Sequence, residues 1–389
     1  MIGYGLFIPF LPYYATLLGA NLGLQIGVMS SAFMITNAIG STPLGRLSDK
    51  IGRSPIITLG LAIYASATLA FPFAPDWTHL VLFRAVQGIG GAMLWPAATA
   101  LIADTIPPGS RGKALGFFNA WVMMGLVLGP ALGGGIQFYG FEILGLNELG
   151  SYRLPFYVGG LVAIISSLLA LVFVKEAPRR VISKPNYAKT DLGISKSFQR
   201  TFKSLLVVRF ATGFSFSFIQ PILAFYVHEA IGLERTQAVL WIAAAFFVSG
   251  LAGALVQIPA GNLADKGSRK KIILIGVLAS QLITFMIPLA GFVSLIVLYM
   301  GLRSVFEAFY RPAIESFEED IMPRHVRGNL TGLTRAFSNT GAVVGPLLGF
   351  LIYDFNKSYP FYVSALILMA SVILFTIISK EPTIEESED

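Results

Sequence analysis

The sequence contains no cysteine and only three histidines, His79, His228 and His325. No disulfide framework, thiol nucleophile or cysteine metal site is available to it. The histidines are scattered, which argues against a metal cluster. Charge is scarce too: 13% of residues are charged, where a soluble domain carries roughly a quarter. In the first half every acid, from Asp49, Asp76 and Asp104 to Glu142, Glu148 and Glu176, falls in a loop or at a helix end. A Ser/His/Asp set, an H-E-x-x-H motif, a phosphate-binding glycine loop and a soluble domain of useful size are all missing. These gaps argue against an enzyme.

What the chain does have is hydrocarbon. Hydrophobic residues make up 55% of it, and the mean hydropathy is +0.71. The composition is that of an integral membrane protein. A span needs about 20 apolar residues. Twelve such runs can be drawn, near 1–19, 24–44, 55–73, 79–103, 112–139, 154–174, 204–228, 236–260, 271–291, 294–319, 328–353 and 358–379. The first run begins at Met1 with no basic stretch before it, so a cleaved signal peptide is not expected. The net charge of +7 does not point to nucleic acid, because the basic residues alternate by loop. One set of loops holds 20 of the 28 Lys and Arg; the opposite set holds Arg153, Arg235 and Lys357. Excess basic charge marks the cytoplasmic face, which predicts cytoplasmic termini. Arg84, Arg209, Arg303, Arg311 and Arg335 are left inside helices.

Gly45–Ile57, GRLSDKIGRSPII, returns 216 residues later as Gly261–Ile273, GNLADKGSRKKII. Each copy reads as a charged loop between apolar runs, at a membrane surface. At the same offset Pro96, Asp104, Arg111, Gly125, Gly129, Pro130 and Gly133 fall on Pro312, Asp320, Arg327, Gly341, Gly345, Pro346 and Gly349. The fold class expected is therefore an all-α membrane protein of twelve transmembrane helices in two pseudo-symmetric six-helix bundles. The boundaries are 1–174, a cytoplasmic linker 175–203 and 204–379, with an acidic tail 380–389. Within the linker, Ser197–Lys203 reads as a helix on the membrane surface. Gly125, Gly129 and Gly133, four apart, make a smooth stripe that lets helices approach closely.

These residues resemble the major facilitator superfamily, in its twelve-helix drug–proton antiporter branch. Gly45–Ile57 matches the family's loop 2–3 motif and Gly261–Ile273 its echo. Arg84–Gly91 matches the helix 4 motif, Gly125–Gly134 the helix 5 antiporter motif, and Pro9 and Pro12 the helix 1 motif. The resemblance implies a secondary transporter in the cell membrane that works by alternating access. It implies proton-coupled efflux of a small, fairly apolar compound, with the proton gradient as energy source and no cofactor or metal. A sugar, organic anion or lipid-linked glycan remains the alternative cargo. The implied partners are the substrate, protons and the lipid bilayer, with no nucleic acid and a monomeric chain. It also makes Gly45, Asp49, Arg53, Asp104 and Arg111, with Asp265, Arg269, Asp320 and Arg327, a conformational latch.

The acids narrow the coupling site. Glu307 is near the middle of the tenth run, and Arg303, Glu307, Arg311 and Glu315 are spaced four apart on one helix face. An ionisable group inside the membrane belongs by default to an ion or substrate path. The proton-coupling candidates are Glu307, Glu315 and Arg84. Arg84 is about 8 Å inside its helix, where it either snorkels outward or serves transport. Candidates for the cavity wall are Gln87, Asn119, Phe214, Phe218, Gln220, Arg303, Phe306, Tyr310, Arg311 and Arg335. Their many rings suit a bulky apolar substrate.

Because no native cysteine interferes, the orientation is directly testable. A cysteine placed at Ser183 is expected to escape an impermeant thiol reagent in intact cells; labelling there inverts the topology.

Overall fold

The computed structural model describes residues 1–21, 23–107, 110–176, 196–266, 268–323 and 327–379. The middle of the expected linker and the acidic tail lie outside these residues, as do the side chains of Asp265 and Arg327. The first half contains α1 (Ile2–Gly5), α2 (Leu11–Leu17), α3 (Leu24–Ile51), α4 (Arg53–Ala70), α5 (Trp77–Thr105), α6 (Arg111–Glu142) and α7 (Glu148–Phe173). The second contains α8 (Lys196–Ile219), α9 (Leu223–Ile231), α10 (Arg235–Lys266), α11 (Arg269–Met286), α12 (Val293–Ile321), α13 (Arg327–Phe355) and α14 (Tyr359–Ile378). Taken in pairs, α1 with α2 and α8 with α9 form two broken spans, and the other ten helices are each long and apolar enough to cross a membrane, except α3. With its 28 residues α3 has the length, but Ser30, Ser31, Thr36, Asn37 and Ser41 make it more polar.

Of the described helices long and apolar enough to cross, α8 is the one that belongs to a broken span. Both breaks coincide with proline, which supplies no backbone donor to the turn before it. Pro9 lies within the first break and Pro221 within the second. The duplication extends to the element bounds. Helices α4 and α5 begin and end at positions whose 216-residue offsets are the bounds of α11 and α12. The 3-10 turns Phe71–Phe73 and Ile287–Leu289 obey the same offset.

Two expectations change. Gly45–Ile51 is not a loop but the last two turns of α3. Only Gly52 separates α3 from α4, at φ +125°, a conformation that a side chain would strain. Likewise, Ser197–Lys203 is not a separate surface helix, since α8 runs unbroken from Lys196 to Ile219. In both cases helical hydrogen bonding extends past the apolar run into polar sequence, because outside hydrocarbon polar side chains no longer oppose it.

Helix starts are capped by side chains. The Asp76 carboxylate accepts from the amides of Thr78 at 2.8 Å and His79 at 3.3 Å, at the start of α5. Hydrogen bonds from Thr78 and then His79 hold its carboxyl well below the usual range. At α4 the cap comes from far along the chain. Glu176 accepts from the amides of Arg53 at 2.9 Å and Ser54 at 2.8 Å, where the helix dipole favours an anion.

Glycines set the closest packing. A methyl on Gly129 would meet Gly5 Cα at 2.6 Å, and one on Gly133 would overlap the Leu6 carbonyl. In the second half Gly341, Gly345 and Gly349 bring α13 equally close to α8, against Phe210, Phe214 and Phe218. Thus each stripe clasps the first span of its own half.

The halves meet along two seams, α3 with α13 and α6 with α10. On the first seam Ser31 Oγ donates to the Val343 carbonyl at 2.8 Å, and Gly27 lies against Pro346 and Leu347. On the second, Gly134 touches Ala243 and Gly250 touches Val127. Tyr13 on α2 donates to the Ala224 carbonyl on α9 at 2.6 Å and packs on Phe225 at 4.2 Å between centroids. These contacts run from the middle of the helices to the end away from the face that carries Asp49, Asp104 and Arg269, here called the basic face. Towards the basic face the same four helices expose apolar side chains, among them Ile39, Phe117, Leu255 and Phe337. The two bundles therefore close at one face and part towards the other.

Gly133→Ala is expected to cost about 1–3 kcal/mol, as overpacking does, and to lower the unfolding temperature in detergent. Gly135→Ala, two residues on with nothing within 4 Å of a new methyl, is the control. Equal behaviour of the two variants would show that the stripe is not a tight contact.

Candidate functional site

A cavity of about 580 Å³ lies between the bundles and reaches from the broken first span to the broken seventh. Its first-half wall combines aliphatic side chains with rings and thioethers, among them Tyr4, Phe33, Met34, Trp95, Trp121 and Met124. From the second half come Phe216, Ser217, Gln220 and Ala342. Polar groups are few, chiefly Asn37, Ser166, Ser217 and Gln220. A second pocket of about 60 Å³ continues it at the apex, where Tyr4, Met34, Ser217 and Gln220 are shared and Arg84, Ser30 and Pro221 are added.

Arg84 does not snorkel. It is 5% exposed, and its guanidinium lies over the rings of Phe33 at 5.0 Å, Tyr4 at 5.7 Å and Phe7 at 5.9 Å. One terminal nitrogen donates to Gln87 at 3.3 Å, and Gln87 in turn donates to Thr68 at 2.8 Å. Gln87 is thus fully buried behind Arg84 and positions it, rather than lining the cavity.

The spacing on α12 brings Arg303, Glu307 and Arg311 into contact. Glu307 pairs with Arg303 at 2.7 Å and with Arg311 at 3.1 Å. Arg311 also lies over the Phe216 ring at 5.3 Å, so the ladder reaches the cavity wall. Glu315, a further turn on, is exposed.

The other wall candidates divide. Gln220 lines both pockets. Asn119 and Arg335 are exposed on the basic-face halves of α6 and α13. Phe214 and Phe218, by contrast, are buried, with their backbone against α13, and Tyr310 is buried against Gly276. Phe306 is half-buried, with its carbonyl beside Gly276. The ring that faces the cavity is Phe216, between the two chosen from the sequence. Phenylalanines recur on several faces of this helix, at 210, 214, 216 and 218, so hydropathy does not reveal which one turns inward.

The latch residues make contacts within each half. Arg53 pairs with Asp49 at 2.5 Å and with Asp104 at 3.3 Å, and donates to Ser48 at 2.7 Å. Arg111 donates to the Ile106 carbonyl at 3.1 Å, finishing α5. In the second half Arg269 pairs with Asp320 and donates to the Ser316 carbonyl at 3.2 Å.

One cluster escaped sequence reading. Glu318, 4% exposed, accepts two hydrogen bonds from Arg209, the Nε one at 2.7 Å, and a third from the Thr334 hydroxyl at 2.5 Å. It ties α8, α12 and α13 together near the basic face. The available signal was Arg209 itself: an arginine inside an apolar run calls for a carboxylate.

A sequence model of the Major Facilitator Superfamily matches residues 1–234 and 205–389. The chain is 25% identical over 393 residues to Multidrug resistance protein 2 of Bacillus subtilis, covering 98% of this chain and 92% of that protein. It is 26% identical over 378 residues to Quinolone resistance protein NorA of Staphylococcus aureus, covering 97% and 92%. Its fold resembles a crystal structure of a bacterial homologue of the human lysosomal transporter Spinster, with TM-score 0.79 at 17% identity, covering 100% of this chain and 95% of that one.

Removing one partner of a buried ion pair strands the other charge, at a cost of about 3–5 kcal/mol. Arg209→Met is therefore expected to lower the unfolding temperature sharply. Arg209→Met with Glu318→Leu should recover most of the loss; a double variant as unstable as the single one would count against the pair.

Proposed function

Since the chain belongs to the Major Facilitator Superfamily, a family of transporters, we propose that it is a proton-coupled exporter of small, bulky apolar compounds. The two bundles, 1–174 and 204–379, rock about the cavity, joined by the linker 175–203. The basic face is cytoplasmic, by the excess of Lys and Arg, and the structure is then open to the cytoplasm and closed outside. The chain acts as a monomer in the cell membrane, because one copy walls the whole cavity.

The observation that carries this reading is the cavity itself. Its wall is mostly aromatic, aliphatic and thioether surface. Such surface gains from burying an apolar solute and offers a sugar few partners. Flexible thioethers adapt to varied shapes. The relatives named for multidrug and quinolone resistance support the same class of cargo.

Glu307 is the proposed proton carrier. As a carboxylate it holds both Arg303 and Arg311. Protonation removes the charge that both guanidiniums face. Arg311, about half exposed, is then free to leave Glu307, and the Phe216 ring beneath it moves with the cavity wall. Loading a proton from outside and losing it inside couples the gradient to the rocking, provided that the substrate prefers the deprotonated state. Glu315 and Arg84 are the other candidates; Glu315 is exposed and Arg84 is buried. The network of Asp49, Arg53 and Asp104 is the first-half part of the latch, disengaged from the second half while the basic face is open.

Glu307→Gln keeps the shape of the protonated acid but not its exchange. In proteoliposomes it is expected to abolish substrate-induced proton release and uphill export, while downhill exchange persists. Normal proton release and concentration by the variant would move the role to Glu315 or to another coupling ion.

A further inference from the structure

Protonation of Glu307 affects its two arginines differently. Arg311 is about half exposed and can turn to water. Arg303 is buried and has no such outlet. A buried guanidinium that loses its carboxylate is stranded unless other acceptors take it. Its Nε already has no hydrogen-bond partner. The acceptors it needs are buried, uncharged and within reach of a side-chain rotation.

Helix α11, packed against α12, carries such acceptors. Ser280, Gln281 and Thr284 are fully buried in its apolar part. Ser280 Oγ donates to the Val277 carbonyl and Thr284 Oγ1 to the Ser280 carbonyl, each at 3.0 Å. Their hydroxyl protons are thereby used, which leaves the oxygens as acceptors. Gln281 Nε2 donates to Ser280 Oγ at 3.1 Å, and its Oε1 has no partner. The duplication supplies the geometry. Gly276 lies against the Phe306 carbonyl and Tyr310, as Gly60, 216 residues earlier, lies against the Gly90 carbonyl and Leu94. So α11 meets α12 in the register in which α4 meets α5. Under the same offset Gln87 falls on Arg303 and Thr68 on Thr284. In the first half Gln87 donates to Thr68 at 2.8 Å. In the second half Arg303 turns to Glu307 instead, and among the described residues no side chain donates to Thr284 Oγ1.

We propose that Ser280, Gln281 and Thr284 form a second seat for Arg303, occupied when Glu307 is protonated. The guanidinium swings from the carboxylate to α11 and makes there the bond that Gln87 makes in the first half. Its donors outnumber the lone pairs of one oxygen, so the polar side chains of α11 act together. They are positioning residues, and none carries the coupling proton. They lower the cost of a buried cation whose carboxylate has been neutralised, which favours the protonated state of the site. The charges around Glu307 leave this role open. On its own helix they are Arg303, Tyr310, Arg311 and Glu315. Arg209 of α8 is held by Glu318. Helix α11 is charged only at Arg269, Lys270 and Lys271, its first residues, and α10 only at its ends. The assignment rests on Glu307 as the proton carrier and adds the groups that receive its partner.

Infrared spectroscopy of the purified full chain tests this without a cargo. Spectra from about pH 4 to about pH 9 follow the C=O stretch of protonated carboxyls, and the band that Glu307→Gln removes belongs to Glu307. Losing the acceptors on α11 penalises the protonated state, so protonation then needs a lower pH. Gln281→Leu and Thr284→Val are each expected to move the midpoint of that band down by about half to one pH unit. Thr284→Val changes the side chain least in shape and carries the test if Gln281→Leu does not fold. Gln281→Asn keeps a carbonyl oxygen and should recover part of the shift. Gln137→Leu is the control, since Gln137 is a fully buried amide of the first half whose Oε1 also has no partner; its midpoint should stay at the wild-type value. An unchanged or raised midpoint in Thr284→Val overturns the proposal, and so does an equal shift in Gln137→Leu. If Glu307→Gln removes no band, Glu307 is not the carrier and the second seat falls with it. If it removes a band that the α11 variants leave in place, the carrier reading stands and the second seat is lost.

Discussion

Close approach of backbones is the constraint on which the rest depends. Between lipid-embedded helices there is little water to expel, so association comes from packing and from hydrogen bonds. The stripes on α6 and α13 remove side chains where the first span of each half must lie. Those two spans are the broken ones, and a broken helix contributes fewer of its own hydrogen bonds. Tight clasping by an unbroken neighbour lets them stay open at Pro9 and Pro221. The cavity apex lies between these breaks, so the packing motif and the binding site are parts of one arrangement.

Electrostatics divides along the same line. The pairs of Arg53, Arg269, Arg209, Arg303 and Arg311 all close within their own half. Across the halves, Arg235 reaches Glu148 at 3.4 Å, near the closed face. Elsewhere the seams are van der Waals contacts with a few hydrogen bonds. Two bodies whose ion pairs close internally move against each other without breaking a buried pair, as rocking requires.

The spans and the duplication were legible because hydropathy and a repeat of fixed offset need no tertiary knowledge. The ladder on α12 was legible for a similar reason, since residues four apart on a helix are neighbours. The Arg84 cage was not, because its rings come from two other spans, Tyr4 and Phe7 from the first and Phe33 from α3. Nor was the Arg209–Glu318 pair, whose members are 109 residues apart. Phe214 and Phe218 misled because a helix with rings on several faces gives no sign of which one turns inward. The loop reading of Gly45–Ile57 failed for a different reason: polarity marks where hydrocarbon ends, not where a helix does.

Glu176 closes the first half upon itself. Its carboxylate, just past the end of α7, fastens the start of α4, and Ser54 Oγ adds a bond to the Val174 carbonyl at 2.5 Å. The last turn of the bundle is thus buckled to an earlier helix before the chain moves on. In the second half Lys270 reaches the Ser379 carbonyl in the corresponding place, again at 2.5 Å. Each bundle is thus fastened to itself at its last turn, in the first half by Glu176 at the very start of the linker. A nick beyond Glu176 severs one covalent tie and no described clasp, so the molecule is in effect a dimer of two similar lobes translated as one chain.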